Sequence, residues 1–153
     1  MNLASPWSAV EVRQSISATR DEVFNTVSDP KTYPEWLVGA QRIRHVTNGF
    51  AESGDKFDHS VGPTESLTVD DSTYLVESQG HRRLVLEVHA GPIAGEVEFV
   101  FKKGSSTTEV TMRERPAGAG VVLTPLIRPL LGLRNRRSLQ QLARYIEHRD
   151  APA

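Results

Sequence analysis

The chain has 153 residues, 38% of them apolar and 24% charged, with a formal net charge of -1; these values fit one globular domain and exclude a global attraction to nucleic acid or anionic membrane. There is no cysteine, which excludes a disulfide framework, a thiolate nucleophile and thiolate metal ligands. No apolar run approaches the roughly 20 residues a membrane span needs, and the start, MNLASPWSAVEV, has neither a basic nor an apolar signal region, so a cytoplasmic protein without stable membrane insertion is expected.

Residues Ser8 to Ser17 alternate, with Val10, Val12, Gln14 and Ile16 on one side, as a half-buried strand does. Thr19 with Glu22 is a capping-box pattern ahead of Val23, Phe24 and Val27, which predicts a short helix. Asp29-Pro30 opens a second short helix, anchored by Tyr33, Trp36 and Leu37. Further strands are predicted at Gln41–Thr47, Gly54–Val61 and Glu65–Ser78, the last bent near Asp70-Asp71 because Leu67 and Val69 are out of phase with Tyr74 and Val76. Three more follow at Arg83–Ala90, Ile93–Lys103 and Thr107–Arg115, separated by short Gly-containing turns, with a loop from Pro116 to Gly120.

Thr124 to Arg149 reads as one long amphipathic helix, with Thr124 as cap and Pro125 in the first turn. Ile127, Leu131, Leu139, Leu142 and Ile146 form its apolar stripe, widened by Leu126, Leu130 and Leu133. Pro129 and Gly132 predict a kink or an irregular first turn. The opposite face carries Arg128, Arg134, Arg136, Arg137, Arg144 and Arg149. Leu123 to Arg149 therefore carries a balance of +5 against -6 for the remainder. That face is read as solvated rather than as a docking surface.

This order, β-αα-β6-α, predicts an α+β fold: a seven-stranded antiparallel sheet with one face covered by the C-terminal helix. One domain spans 1–153, with its core at 8–149 and short tails.

Several stretches resemble the START-like superfamily, the polyketide cyclase/dehydrase and lipid-transport group. They are Val23-Phe24 with Val27-Ser28-Asp29-Pro30 and Tyr33-Pro34-Glu35-Trp36; Gly54-Asp55-Lys56-Phe57; Arg83-Leu84; Gly104 with Thr107-Thr108-Glu109-Val110; and Asn135 through Ser138, Leu139 and Leu142. The resemblance implies a helix-grip fold, in which a curved sheet wraps the last helix and leaves a cavity between them. It implies a small hydrophobic ligand there; no cofactor is expected.

Phe57, Leu86, Val88, Phe99, Phe101, Val110 and Met112 share inward parity with Ile127 and Leu131, and Trp36 and Tyr33 are expected at the mouth. Gln14, His45, His59 and Glu114 are the polar residues of inward parity. His59, with His45 on the preceding strand, is the candidate acid or base. The five histidines show no metal-ligand spacing, and Gly118-Ala119-Gly120 lacks the third glycine and the βαβ setting of a dinucleotide site. The expected function is a carrier or sensor of a lipid- or polyketide-like molecule, because no arginine has inward parity. The alternative is a polyketide cyclase or dehydratase-like enzyme using the inward histidines.

Overall fold

The structure, a computed structural model, describes residues 9–46, 56–64, 67–90, 93–118 and 120–149, with side chains described at 9–40, 72–89, 94–116 and 128–149. The element order is β1 (Val10–Ile16), α1 (Arg20–Val27), a 3-10 turn (Pro30–Thr32), α2 (Tyr33–Trp36), β2 (Ala40–Val46), β3 (Lys56–Thr64), β4 (Leu67–Gln79), β5 (Arg83–Ala90), β6 (Ile93–Lys103), β7 (Thr108–Gly118) and α3 (Gly120–Arg149). Sheet order is β1-β7-β6-β5-β4-β3-β2, seven strands with every pairing antiparallel. Side chains along the strand are described on five of them, β1 and β4 to β7. An open antiparallel sheet with a C-terminal helix on one face is the α+β, helix-grip arrangement expected from the alternation and the single long stripe.

The corner between β1 and β2 is held by side-chain chemistry that the sequence announces. Thr19 Oγ1 accepts from the Glu22 amide at 3.2 Å and Glu22 returns the bond to the Thr19 amide, so two otherwise unpaired donors at the start of α1 are satisfied. Asp29 accepts from the Lys31 amide and starts the 3-10 turn. Thr32 Oγ1 donates to the Thr26 carbonyl at 2.9 Å and accepts the Trp36 indole N–H at 3.0 Å. The buried indole is thereby satisfied, which permits Trp36 to be fully enclosed.

The core lies between the sheet and the helices. Ile16, Val23, Val27, Trp36, Val110, Leu139, Leu142 and Ile146 have no exposed surface. Helix α3 packs on β1, β7 and β6 and against α1 and α2. It therefore covers one end of the sheet rather than its middle, and α2 flanks the space beyond.

Several expectations are corrected here. Helix α3 begins at Gly120, so Thr124 is not its cap, and it runs unbroken through Pro129 and Gly132. A Cβ at Gly132 would meet Val10 Cγ1 at 3.5 Å, an ordinary contact, so Gly132 lies where α3 comes close to β1. Leu130 and Leu133 do not widen the stripe; they are 68% and 46% exposed. Between Leu131 and Leu139 the stripe position is instead Asn135, fully buried. Strand β7 continues to Gly118, through the expected loop. The pairings of Asp70 and Asp71 with β3 are regular, and the irregularity in β4 falls between Leu75 and Glu77. Among the described side chains of β4, Thr73 and Leu75 are buried, while Tyr74 and Val76 face solvent. Leu67 and Val69 thus keep phase along the backbone with Thr73 and Leu75, and no bend near Asp70 is needed.

The outer face of the sheet carries a ladder of alternating charge. Arg13 pairs with Glu11 at 2.7 Å, Glu11 with Arg113 at 2.6 Å, Arg113 with Glu98 at 2.9 Å, Glu98 with Arg83 at 2.5 Å and Arg83 with Glu77 at 2.6 Å. Burial alone would raise the Glu98 carboxyl, but hydrogen bonds from Arg83 and Arg113 outweigh it and hold it below the usual range. Hydrogen bonds from Arg113 and Arg13 lower Glu11 in the same way. A carboxyl lowered in the folded state stabilises fully above its unfolded pKa, about 4.3 for Glu, and that stability is lost as pH falls through the folded value. The urea midpoint is expected to fall between about pH 6 and about pH 3, and to fall less in Glu98→Gln. Equal falls in both proteins would locate the acid sensitivity outside the ladder.

Candidate functional site

The space between sheet and helices holds a cavity lined by two kinds of surface. One wall is apolar: Leu86 and Val88 from β5, Val97 and Phe99 from β6, Met112 from β7, with Trp36 and Leu37 from the α2 corner. The other carries Glu114 from β7 and Arg134 from α3, with Thr73 and Tyr33 completing the lining. The cavity is about 60 Å³, and about 450 Å³ of empty space when its open mouth is included. Pockets that enclose a small molecule span roughly 300–1,000 Å³, so the inner part of this one is smaller than such a molecule.

Strand register explains the apolar wall. Leu86 pairs with Val97 and Leu75, Val97 with Glu114, Phe99 with Met112 and Leu84. Residues paired across neighbouring strands share a face, so Leu75, Leu86, Val97, Glu114 and Val10 form one row, with Glu114 its polar member. Val88 pairs with Gly95, which has no side chain to fill the space beside it. Trp36 meets Tyr33 edge to face at 5.0 Å and Phe99 at 6.3 Å, both ring arrangements that favour aromatic contact.

The polar wall is a connected group. Asn135 Nδ2 donates to Glu114 Oε2 at 2.7 Å, and Arg134 Nη1 approaches the same oxygen at 3.6 Å. Arg134 Nε donates to the Val38 carbonyl at 3.1 Å and Nη1 to Asn135 Oδ1 at 3.3 Å. Ser138 Oγ accepts from the Val38 amide at 3.0 Å and donates to the Arg134 carbonyl. The segment after α2 is thus clamped to α3, and the guanidinium is held at the cavity. Glu114 and Arg134 keep 17% and 30% of their side-chain surface exposed, so the pair sits at a partly wet boundary where charge interactions are stronger than in bulk water.

Of the residues expected at a ligand site, the structure brings together Trp36, Leu86, Val88, Phe99 and Met112. Trp36 and Tyr33 do not stand at a mouth; both are buried, at 0% and 3% exposure. The Tyr33 hydroxyl donates to the Val27 carbonyl at 2.7 Å, and burial raises its pKa well above the usual phenol range. Phe101 packs on Phe24 edge to face at 5.3 Å, in the core beneath α1 and outside the cavity lining. Leu131 is half-buried on α3 and is likewise absent from the lining. The side chains of Phe57, His59, His45 and Ile127 lie outside the described residues. In the backbone register His59 pairs with Ile43 and His45 with Asp58, so the two histidines are not direct cross-strand partners.

Arg134 and Asn135 were missed. Helical spacing places Arg134 on the solvent face, yet it lines the cavity beside Asn135, the polar member of the buried stripe. The polar break in the spacing between Leu131 and Leu139 was the available signal. The expectation that no arginine faces the cavity is therefore overturned. No group of three potential metal ligands occurs among the described residues, and none of their helices is long and apolar enough to cross a membrane.

The model of one family, described as polyketide cyclase / dehydrase and lipid transport, matches residues 8–147. The chain belongs to this family. A comparison with curated protein sequences finds no significant match. Among solved structures, protein NE0264 from Nitrosomonas europaea is similar with a TM-score of 0.76 at 16% identity, the alignment covering 97% of this chain and 100% of that one. A START superfamily protein from Mycobacterium smegmatis aligns with a TM-score of 0.75 at 15% identity, covering 92% and 98%. The di-domain ARO/CYC StfQ from the steffimycin biosynthetic pathway aligns with a TM-score of 0.69 at 12% identity, covering 93% of this chain and 52% of StfQ. At these identities the likeness shows the fold alone.

Proposed function

We propose that this family member is a carrier or sensor that binds a small hydrophobic molecule, lipid- or polyketide-like, between the sheet and α3. The apolar body of the ligand lies on Leu86, Val88, Val97, Phe99 and Met112, and its polar end meets Glu114 and Arg134. Phe57, His59 and Ile127 extend the proposed site along β3 and the first turns of α3, with His45 and His59 as further polar contacts. The observation that carries this reading is the two-part lining: an apolar wall ending on a fixed acid–base pair, the combination that orients an amphiphilic ligand. At about 60 Å³ the cavity holds a few waters, so the ligand enters by displacing flexible lining side chains, Met112 foremost.

A second reading is a cyclase or dehydratase-like enzyme, and it is favoured by the same pair. A carboxylate beside a guanidinium supplies a base for a proton next to a carbonyl and a cation for the developing enolate. Native mass spectrometry and fluorescence titration with fatty acids and polycyclic compounds test binding. A retained or added ligand at 1:1, with a Kd of about 1 μM or tighter, is expected. Arg134→Met is expected to reduce the preference for carboxylate-headed over alcohol-headed ligands about tenfold. No retained or added ligand would refute the container. Turnover of a poly-β-ketone that disappears in Glu114→Gln or His59→Phe would make the protein an enzyme.

A further inference from the structure

A second recess lies between the start of α1 and the turn joining β6 to β7. It shares no residue with the cavity and has a volume of about 360 Å³. Its lining includes Thr19, Arg20, Lys103, Ser105, Ser106 and Thr107. We propose that this recess is an oxyanion site that takes a phosphate group.

The first observation is Arg20. Its Nε is buried and has no hydrogen-bond acceptor among the described residues. A buried donor on a charged group is costly to leave unpaired, and the same arginine lines the recess. The second is charge. Neither Arg20 nor Lys103 forms an ion pair with another described residue. One carboxylate, Asp21, joins the described lining, and it is engaged by His81 Nδ1 at 2.6 Å. His81 is itself fixed by stacking on Phe24 at 4.7 Å. Two cations therefore line the recess against one carboxylate, which His81 engages directly and both cations attract at longer range.

The third observation is rigidity. Thr108 Oγ1 donates to the Ala18 carbonyl at 2.9 Å, tying the β1–α1 turn to the first residue of β7. The Gly104 amide donates to the Thr107 carbonyl at 2.8 Å and closes the opposite turn. The hydroxyls of Ser105, Ser106 and Thr107 lie on that turn. A guanidinium, an ammonium and several hydroxyl donors on two pinned turns match the many acceptor oxygens of a phosphate better than the two of a carboxylate. The start of α1 adds little, since Asp21 and Glu22 already complement it.

Titration calorimetry with inorganic phosphate, and separately with glycerol 3-phosphate, tests the assignment and distinguishes the free ion from a phosphomonoester. Saturable 1:1 binding of at least one probe is expected. Binding should weaken about tenfold or more in Arg20→Gln combined with Lys103→Gln, and severalfold in Lys103→Gln alone. The exposed Lys103 makes the single variant safe for folding, and thermal denaturation without phosphate verifies both. Arg136→Gln with Arg137→Gln on α3 should bind as the parent does. Absence of saturable binding by either probe overturns the site, as does equal affinity in the parent and the Lys103 variant. Because no residue is shared with the cavity, failure here leaves the hydrophobic-ligand reading standing, and the converse also holds.

Discussion

Replacing Leu142 by alanine is expected to destabilise the protein by about 2–5 kcal/mol, whereas Arg144→Ala two residues away should cost about 0.5 kcal/mol or less. Leu142 has no exposed surface and belongs to the same buried cluster as Ile16, Met112 and Ile146. Truncation there removes the apolar transfer energy of the side chain and leaves a void that sheet and helix cannot both move to fill. Arg144 is exposed, so its loss removes mainly solvated charge. Urea denaturation of both variants, compared at equal slope, measures the difference. Small and equal effects would mean that α3 is not docked on the sheet. The comparison bears on function because α3 carries Arg134 and Asn135: a helix that detaches leaves Glu114 of β7 without either partner.

What was legible in the sequence was what is local or periodic. The capping box of Thr19 and Glu22 needs only residues three apart, and it forms as expected. Leu139, Leu142 and Ile146 recur at helical spacing and are all fully buried. Leu84, Leu86, Val97, Phe99, Val110 and Met112 alternate along single strands and face the core. The polar wall was harder, because periodicity counts apolar residues and passes over polar ones. Thr73 and Asn135 occupy core positions with polar side chains, and each is affordable only where partners or a boundary with water satisfy it. Glu114 had the right parity but stood near an expected strand end; β7 in fact continues four residues beyond it, to Gly118. Leu130 and Leu133 misled in the opposite sense, since both lie in solvent although Gly132 between them comes close to Val10 of β1.

The cavity itself supplies the remaining test, through a substitution that fills it. Val88 is half-buried, lines the cavity and pairs with Gly95 on one side and Thr73 on the other. Tryptophan at 88 stands opposite Gly95, which contributes no side chain, with the β7 backbone at Arg115 and Pro116 bounding the space beyond. The larger ring would take the space that a ligand's apolar body needs, while leaving Glu114, Arg134 and Asn135 untouched. Overpacking of a core position typically costs about 1–3 kcal/mol, and the position at the cavity edge argues for the lower part of that range. Val88→Trp is therefore expected to remain folded and to weaken binding of apolar probes about tenfold or more. Val88→Ala should leave binding within a few fold, because it enlarges the space. Two measurements decide it: the thermal midpoint, which must stay close to that of the parent, and the titration with an apolar fluorophore. Unchanged affinity in a folded Val88→Trp protein would show that the ligand site is not this cavity. A loss of affinity that Arg134→Met does not reproduce for uncharged ligands would separate the apolar wall, which supplies affinity, from the polar wall, which supplies orientation.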